Sequence, residues 1–304
     1  MSQSDTTPTP PYRDDEHTDC DESPDAQTAL AAPAIGSDAD AGVPFEAEDL
    51  VVGYPTSEQP VVDGESLVAA PGEVTALVGP NGSGKSTLLK AMADQLAPEA
   101  GAVRIDGRAV ADMDAKDLAR RLGLLSQENV APDSITVRKL VEHGRYPHRG
   151  FFDGLSEADR AAVDRAIDLA GVDHLRDRDV GSLSGGQKQL VWIAMVLAQE
   201  TDVLLLDEPT TFLDMHHQLE VMEIIETLRE ESDKTVVVVL HDLQQAARLA
   251  DKVVALEDGT VRGRGSPEAV VTEELLADVF EIEAEVVSTD HGPQITPLRP
   301  LHDD

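Results

Sequence analysis

Residues 79–87 read Gly-Pro-Asn-Gly-Ser-Gly-Lys-Ser-Thr, a glycine-rich turn that ends in a lysine and two hydroxyl side chains. The apolar residues 74–78 before it predict a buried strand, and the apolar residues after it predict a helix packed against a sheet. A strand, such a turn and a helix together form the P-loop pattern. A glycine-rich turn without a ligand is the alternative, but the strand and the helix favour a site for a nucleoside triphosphate.

Each residue type in this turn has a chemical reason to be there. Gly82 and Gly84 allow the backbone to curl so that successive N–H groups converge on phosphate oxygens, and the following helix adds the positive end of its dipole. Lys85 is long enough to reach the β- and γ-phosphates, and the Ser86 hydroxyl is a suitable ligand for Mg²⁺. The turn therefore predicts a nucleoside triphosphate bound together with Mg²⁺.

Two carboxylates follow a second apolar run, residues 203–206, which also predicts a buried strand. Ligands of open α/β sheets bind at the carboxyl ends of the strands, so Asp207 is expected to approach the Mg²⁺ held by Ser86. Glu208 is then expected where a carboxylate could activate a hydrolytic water. The alternative is a solvated strand end without a catalytic role.

The chain is strongly acidic: its 304 residues include 59 Asp and Glu against 24 Lys and Arg, a formal net charge of −35. Only −9 of this charge falls on residues 1–44, and a hydrophobic content of 41% argues against disorder for most of the chain. Because no basic patch offsets the repulsion from a phosphate backbone, nucleic acid is not an expected partner. We interpret the composition as that of a halophile's protein, with an archaeon as the expected source; an acidic protein of ordinary cytosol is the alternative.

Cysteine content and hydropathy limit the possible compartments. Cys20 is the only cysteine, so neither an intrachain disulfide nor a cysteine-based zinc site can form. No apolar run approaches the roughly 18 residues that a membrane span needs, and the N-terminus has no secretory pattern. Residues 1–44 show no hydrophobic period, so we expect a disordered acidic tail there. The chain is expected to be cytoplasmic and to act at a membrane only through partners.

The order of the predicted elements changes in the middle of the chain. Both strands and helices are predicted before Gln127. Residues 135–198 show helical periodicity without a strand, and strands return at residue 203. Ser156 with Asp159 resembles a capping box at the start of one of these helices, and Gly171 stands where a C-cap glycine belongs. The pattern predicts a helical insert in an otherwise α/β domain.

Residues 183–187 read Leu-Ser-Gly-Gly-Gln and open a predicted helix. Alone, a serine followed by two glycines is an ordinary helix N-cap. Beside the P-loop and the pair Asp207-Glu208, and in the same order along the chain, the pentapeptide resembles the signature of the ATP-binding-cassette (ABC) ATPases. The resemblance covers residues 45 to about 290.

The resemblance implies a fold and a set of boundaries. The fold class is an α/β P-loop NTPase, with an ABC-type ATPase core, an antiparallel β subdomain and a helical subdomain at about residues 130–200. The ABC ATPase domain then spans residues 45–290, the disordered acidic tail residues 1–44, and a C-terminal extension residues 291–304. ATP and Mg²⁺ are the implied cofactors. The implied assembly is a head-to-tail dimer, in which the signature helix of one copy caps the γ-phosphate bound to the other.

The resemblance also implies roles for single residues. Tyr54 would stack on adenine, Gln127 would contact Mg²⁺ and the transport partner, Asp214 would be the D-loop aspartate, and His241 would lie near the γ-phosphate. The predicted catalytic residues are Glu208, His241 and Gln127, and the predicted metal ligands are Ser86, Gln127 and Asp207. The residues predicted to bind the nucleotide are Tyr54, Gly79, Pro80, Asn81, Gly82, Ser83, Gly84, Lys85, Ser86, Thr87, Ser184, Gly185, Gly186, Gln187 and Asp214. His216 and His217 are not expected to hold a metal, because adjacent helical residues face different directions.

Residues 144–148, Gly-Arg-Tyr-Pro-His, resemble the importer ATPases for ferric siderophores, haem and cobalamin, as do residues 241–246 and 279–280. This likeness implies a peripheral protein on the cytoplasmic face of the membrane. Its partners would be membrane permease subunits and, indirectly, an extracytoplasmic substrate-binding protein. An importer ATPase for another cargo and a soluble ABC ATPase of cluster assembly are the alternatives.

Overall fold

The computed structural model describes residues 42–55, 59–150 and 153–301. The strands of these ranges are β1 (Phe45–Val52), β2 (Val62–Ala69), β3 (Val74–Val78), β4 (Ala100–Ile105), β5 (Arg108–Ala109), β6 (Leu122–Leu125), β7 (Val203–Asp207), β8 (Thr235–Val239), β9 (Lys252–Glu257), β10 (Thr260–Gly265), β11 (Ile282–Thr289) and β12 (Gly292–Pro300). The α-helices are α1 (Lys85–Met92), α2 (Ala115–Arg121), α3 (Val137–Glu142), α4 (Glu157–Leu169), α5 (Gly185–Leu197), α6 (Met215–Glu231), α7 (Leu243–Leu249), α8 (Pro267–Val270) and α9 (Glu273–Phe280).

A central sheet has the strand order β10-β9-β3-β8-β7-β6 in the described part of the chain. Neighbours from β9 to β6 pair in parallel, and β10 pairs with β9 in the antiparallel sense. β3, β7 and β8 are buried along their whole length, which explains why their sequences are almost entirely apolar. Since these three strands are parallel neighbours, the loops after them meet at one edge of the sheet.

Alternate residues of β3 pack on opposite sides of this sheet. Val74, Ala76 and Val78 belong to a buried apolar cluster that includes residues of α3 to α7. Leu77 belongs to a second cluster, formed with α1 and with the antiparallel sheet β2-β1-β4-β5. The period of two along the strand thus places helices α3 to α7 on one side of the sheet, and α1 with the β subdomain on the other.

Helices α3, α4 and α5 form the helical insert that the sequence predicts. Ser156 and Asp159 make the expected capping box, and Gly171 has φ of 67° just after α4. The segment 144–148 lies in a short 3₁₀ helix between α3 and α4, and its arginine is buried. Arg145 donates to Asp159 at 2.9 Å, to Glu200 at 2.8 Å and to the carbonyl oxygen of Ala198 at 2.7 Å. These bonds tie the segment to α4 and to the chain just after α5.

A separate hairpin, β11 with β12, ends the described chain. Gln244 in α7 holds its second strand, donating to the carbonyl oxygen of Pro293 and accepting from the N–H of Ile295, both at 3.0 Å. The expected boundary between residues 290 and 291 therefore falls in the turn of a hairpin whose two strands pair with each other.

The expected disordered tail lies outside the described residues, except for its last three. At that end the carbonyl oxygen of Val43 accepts a hydrogen bond from Thr235 at 2.6 Å, and that of Pro44 accepts from the N–H of Asp106 at 3.0 Å. The chain is thus fixed to the core a few residues before β1 begins. Within the described ranges, every helix is too short or too polar to cross a bilayer.

Candidate functional site

The P-loop connects β3 to α1, and two of its glycines have structural reasons to be glycine. Gly84 is the N-cap of α1 and has φ of 98°, a region that strains other residues. At Gly79 a Cβ would lie 2.1 Å from the carbonyl oxygen of Leu256. Glycine at these two positions therefore permits the close approach of Leu256 at the start of the loop and the positive φ at the start of α1.

Lys85 folds back onto this loop. Its Nζ donates to the carbonyl oxygens of Gly79 at 2.9 Å and Pro80 at 2.8 Å, and to Ser83 Oγ at 3.3 Å. Burial lowers the pKa of Lys85, and the charges of Glu208 and Asp207 act in the opposite direction. Phosphate oxygens bound at the loop could replace these acceptors, and the Lys85 ammonium would then donate to them.

Ser86 and Asp207 join the P-loop to the end of β7. Ser86 Oγ donates to Asp207 Oδ1 at 2.9 Å, although 121 residues separate the two. Burial raises the pKa of Asp207, and the hydrogen bond from Ser86 opposes that rise. The pair presents a hydroxyl and a carboxylate oxygen side by side.

Glu208 is the centre of a cluster that brings three distant segments together. Its Oε1 lies 2.5 Å from His241 Nε2, and its Oε2 accepts from Gln127 Nε2 at 2.7 Å. Thr211 Oγ1 also donates to Oε2, at 3.3 Å. The carboxylate is buried, and its backbone has φ of 53°, which costs energy for a residue other than glycine.

These groups face an open cleft of about 550 Å³ at the carboxyl edge of the sheet. Asn81 of the P-loop, Gln127, Glu208 and His241 line it together. Tyr54 does not line this cleft; its hydroxyl lies 3.4 Å from Thr87 Oγ1 in α1, and its side chain is partly exposed. The predicted P-loop, strand-end, Gln127 and His241 residues are therefore assembled in one region.

The predicted signature residues form a different group. Ser184 caps α5 and makes a capping box with Gln187. Asp214 caps α6 and accepts from the N–H of His217 at 3.1 Å, and its Oδ1 lies 2.8 Å from His217 Nδ1. The His217 ring lies against Gly186, since a Cβ at Gly186 would be 2.4 Å from its Cγ. In the described chain, residues 184–187 do not line the cleft of Glu208.

Thr211 and His217 also belong to these groups, although the sequence alone did not point to them. Each stands three residues after a predicted site residue, Glu208 and Asp214, which is the spacing of side chains that meet in a turn or at a helix start. Gln189 was also missed: its Nε2 donates to the carbonyl oxygen of Pro209 at 3.0 Å and so connects α5 to the loop after Glu208.

Among the described residues no group of three or more His, Cys, Asp or Glu side chains is arranged to hold a metal. The oxygen atoms of Ser86, Asp207 and Gln127 are a different kind of donor set, a hydroxyl, a carboxylate and an amide. Such oxygen ligands suit Mg²⁺, which commonly takes one or two protein groups together with substrate phosphates.

A P-loop at the end of one strand and a buried glutamate at the end of a nearby parallel strand, with histidine and glutamine partners, define a P-loop nucleoside triphosphatase. Residues 62–211 match the family described as ABC transporter. The predicted fold class is confirmed by a solved metal-chelate type ABC transporter in an inward-facing conformation. Its TM-score is 0.72 at 26% identity, over 85% of this chain and 98% of that one.

Three curated relatives specify the family further. Petrobactin import ATP-binding protein FpuD of Bacillus anthracis is 44% identical over 246 residues, 81% of this chain and 89% of that protein. Iron(3+)-hydroxamate import ATP-binding protein FhuC of Bacillus subtilis is 42% identical over 241 residues, 79% and 89% of the two chains. Cobalamin import ATP-binding protein BtuD of Halobacterium salinarum is 40% identical over 232 residues, 76% and 58% of the two chains. The chain belongs to the ABC transporter family, as one of its ATP-binding ATPase proteins.

Proposed function

We propose that this chain is the ATP-hydrolysing subunit of a membrane importer for a ferric siderophore or a related iron chelate, haem or cobalamin. The observation that carries the catalytic part is the buried Glu208, held by Gln127 and His241 beside the P-loop. The cargo class is supported by relatives named for the import of petrobactin, iron(3+)-hydroxamate and cobalamin.

In the proposed reaction the chain's own groups bind ATP and activate water. The P-loop N–H groups and Lys85 hold the β- and γ-phosphates, and Tyr54 stacks on the adenine. Glu208 orients a water and takes up its proton while the water oxygen bonds to the γ-phosphorus and the bond to the β–γ bridging oxygen breaks. His241, whose Nε2 contacts Glu208 in the structure, orients the carboxylate and then donates a hydrogen bond to the γ-phosphate.

Mg²⁺ would be held by Ser86 and Asp207, with Gln127 as a further ligand. The 2.9 Å contact between Ser86 and Asp207 supports this assignment, since it places two oxygen donors together at the P-loop. When bound, the ion would neutralise charge on the β- and γ-phosphates.

A second copy of the chain would complete each site, in a head-to-tail dimer. The supporting observation is that residues 184–187 lie apart from the cleft of Glu208 but form the N-terminus of α5, which favours anions. The test mixes a Lys85→Ala chain with a Ser184→Arg chain. Each homodimer lacks any intact site, whereas the mixed dimer has one, so the mixture should regain ATP hydrolysis. A mixture and a covalently linked heterodimer that are both inactive would reject this arrangement.

The surface around Tyr146 is the proposed contact with the permease. Tyr146 is 56% exposed, its ring stacks on His143 at 4.8 Å, and the Arg149 guanidinium lies 5.8 Å from the ring centre. Lys116 joins the patch through a 2.7 Å hydrogen bond to the carbonyl oxygen of Arg149. An exposed aromatic ring framed by cations is unusual on so acidic a chain, and aromatic and arginine side chains are enriched in interfaces.

Tyr146→Ala should therefore weaken copurification with the permease while the isolated protein hydrolyses ATP as before. The matched control is Val68→Ala, which truncates a side chain that is similarly exposed, at 51%, but lies on β2. Equal copurification of both variants with the permease would reject this docking surface.

The import function is tested by uptake in a strain that lacks this chain. The chain would sit on the cytoplasmic face of the membrane, bound to permease subunits, and an extracytoplasmic binding protein would deliver the cargo. Uptake of radioiron as a ferric siderophore, and of labelled haem and cobalamin, should identify one cargo that the wild-type chain restores and Glu208→Gln does not. Unchanged uptake of all three in the deletion strain would reject the proposed cargo class and favour another transporter or a soluble ATPase.

We further propose that the chain works in a cytoplasm of high salt. The net charge of −35 supports this, as does the relative from Halobacterium salinarum.

A further inference from the structure

The first turn of α7 carries two neighbouring glutamines whose side chains bond to different parts of the molecule. Asp242 caps the helix and accepts from the N–H groups of Gln244 at 2.8 Å and Gln245 at 3.4 Å. Gln244 holds the hairpin strand β12, as described above. Gln245 instead lines the cleft of Glu208 and bonds to side chains on two other elements.

Gln245 is the middle of a hydrogen-bond network that runs from Thr210, two residues after Glu208, to Leu213, which precedes Asp214. Thr210 Oγ1 donates to Gln245 Oε1 at 2.8 Å, and Gln245 Nε2 donates to Gln218 Oε1 at 3.1 Å. Gln218 Nε2 in turn donates to the carbonyl oxygen of Leu213 at 3.1 Å.

The direction of every bond in this chain follows from its last acceptor. The carbonyl oxygen of Leu213 can only accept, so Gln218 must present its NH₂ group there and its oxygen to Gln245. Gln245 must then offer its NH₂ group to Gln218 and its oxygen to Thr210, whose hydroxyl donates. A single orientation of both amides therefore satisfies all three contacts.

The residues in this hydrogen-bond network are close in sequence to the groups proposed to act on ATP. Thr210 follows Glu208 by two residues, Leu213 directly precedes Asp214, and Gln245 follows His241 by four. A shift of α7 relative to the loop or to α6 would break one of these bonds. These three hydrogen bonds thus hold the segments that carry Glu208, His241 and Asp214 in fixed positions relative to one another.

We propose that Gln245 is a positioning residue for ATP hydrolysis, which holds the segment after Glu208, the helix α7 that follows His241, and the segment before Asp214 in fixed relative positions. The proposal rests on the proposed catalytic role of Glu208. Gln245 does not touch the nucleotide in this scheme, so its loss should lower kcat and leave ATP binding and KM nearly unchanged.

The test compares Gln245→Met with Gln244→Met in the full-length protein. Both changes remove two hydrogen bonds of an amide on the same helix turn, but only the first breaks the chain to the site. Gln245→Met should lower kcat about 10- to 100-fold with KM for ATP within about threefold of wild type, whereas Gln244→Met should keep kcat within about twofold. Equal kcat values for the two variants, or a Gln245→Met enzyme whose loss lies in KM, would overturn the proposal.

Three further variants keep the test decisive if Gln245→Met folds poorly. Gln218→Met breaks the same chain from α6 and should show the same fall in kcat. Gln245→Glu keeps the acceptor for Thr210 but replaces the donor towards Gln218, so it should also be slow. Adding Gln218→Lys, whose ammonium can donate to the new carboxylate and to Leu213, should restore kcat; a folded double variant that stays slow counts against the proposal.

Glu208→Gln is measured beside these variants. If it hydrolyses ATP at the wild-type rate, the proposed base is wrong. The comparison of kcat between Gln245→Met and Gln244→Met does not depend on the result for Glu208→Gln. Failure of the base assignment and failure of the positioning role therefore give different results.

Discussion

Glu208→Gln separates catalysis from binding at the centre of the site. The amide keeps the shape of the side chain but cannot take up a proton from water. Loss of a positioned general base typically costs about 10² to 10⁴ in rate, which is about 3 to 5 kcal/mol of barrier. We expect kcat to fall by that factor.

The same change has a predictable effect on stability. The carboxylate meets both Gln127 and His241, whereas an amide has a single acceptor oxygen. One buried donor left without an acceptor costs about 1 to 3 kcal/mol, and each kcal/mol lowers Tm by roughly 2 to 4 °C for a chain near this size. The lower end is expected, because a neutral His241 can present its unprotonated nitrogen to the new amide.

ATP binding should survive in Glu208→Gln, since the P-loop and Lys85 are unchanged. Removal of a negative charge near the phosphates also favours the closed, nucleotide-bound pair. The assays are steady-state phosphate release, nucleotide binding, and gel filtration with and without Mg-ATP, where the variant should elute as a dimer with ATP. Asp207→Asn is the control and should weaken binding as well as hydrolysis. Turnover by Glu208→Gln at the wild-type rate would refute the assignment and make His241 the next residue to test.

Three other predictions concern stability and the signature. Arg145→Met leaves the buried Asp159 carboxylate without its charged partner and should cost about 3 to 5 kcal/mol in urea unfolding. Burial raises the pKa of Asp159, but hydrogen bonds from Ser156 and then Arg145 outweigh it and hold that pKa at about 2. The stability gap between wild type and Arg145→Met should therefore be full above about pH 4 and shrink as the pH falls through 2; a pH-independent gap would contradict this cause. Gly186→Ala places a Cβ against the His217 ring and should lower Tm, and the double variant with His217→Ala should melt higher than Gly186→Ala alone. Thermal midpoints should rise strongly with KCl, because the Debye length falls from about 10 Å at 0.1 M to about 3 Å at 1 M; a flat series would argue against adaptation to high salt.

Much of the fold could be predicted because its signals are local. The mainly apolar strands β3, β7 and β8, the capping box of Ser156 and Asp159, and the serine cap of α5 each depend on residues within one element or turn. The P-loop is local in the same sense. The domain boundary near residue 290 was harder to predict, because the pairing of β11 with β12 is a contact between two strands. Neither strand's own sequence shows which strand it pairs with.

The same distinction between local signals and long-range contacts applies to the candidate site. The sequence by itself determined which residue types could carry the chemistry: the phosphate-binding turn, Lys85 and Ser86, and the carboxylates after β7. Only the tertiary structure decided which side chains meet Glu208, since Gln127 lies 81 residues away and His241 arrives from the end of another parallel strand. The physical reason is that parallel strands place their carboxyl ends at one edge whatever their separation in sequence, so partners there are chosen by strand order and not by spacing along the chain.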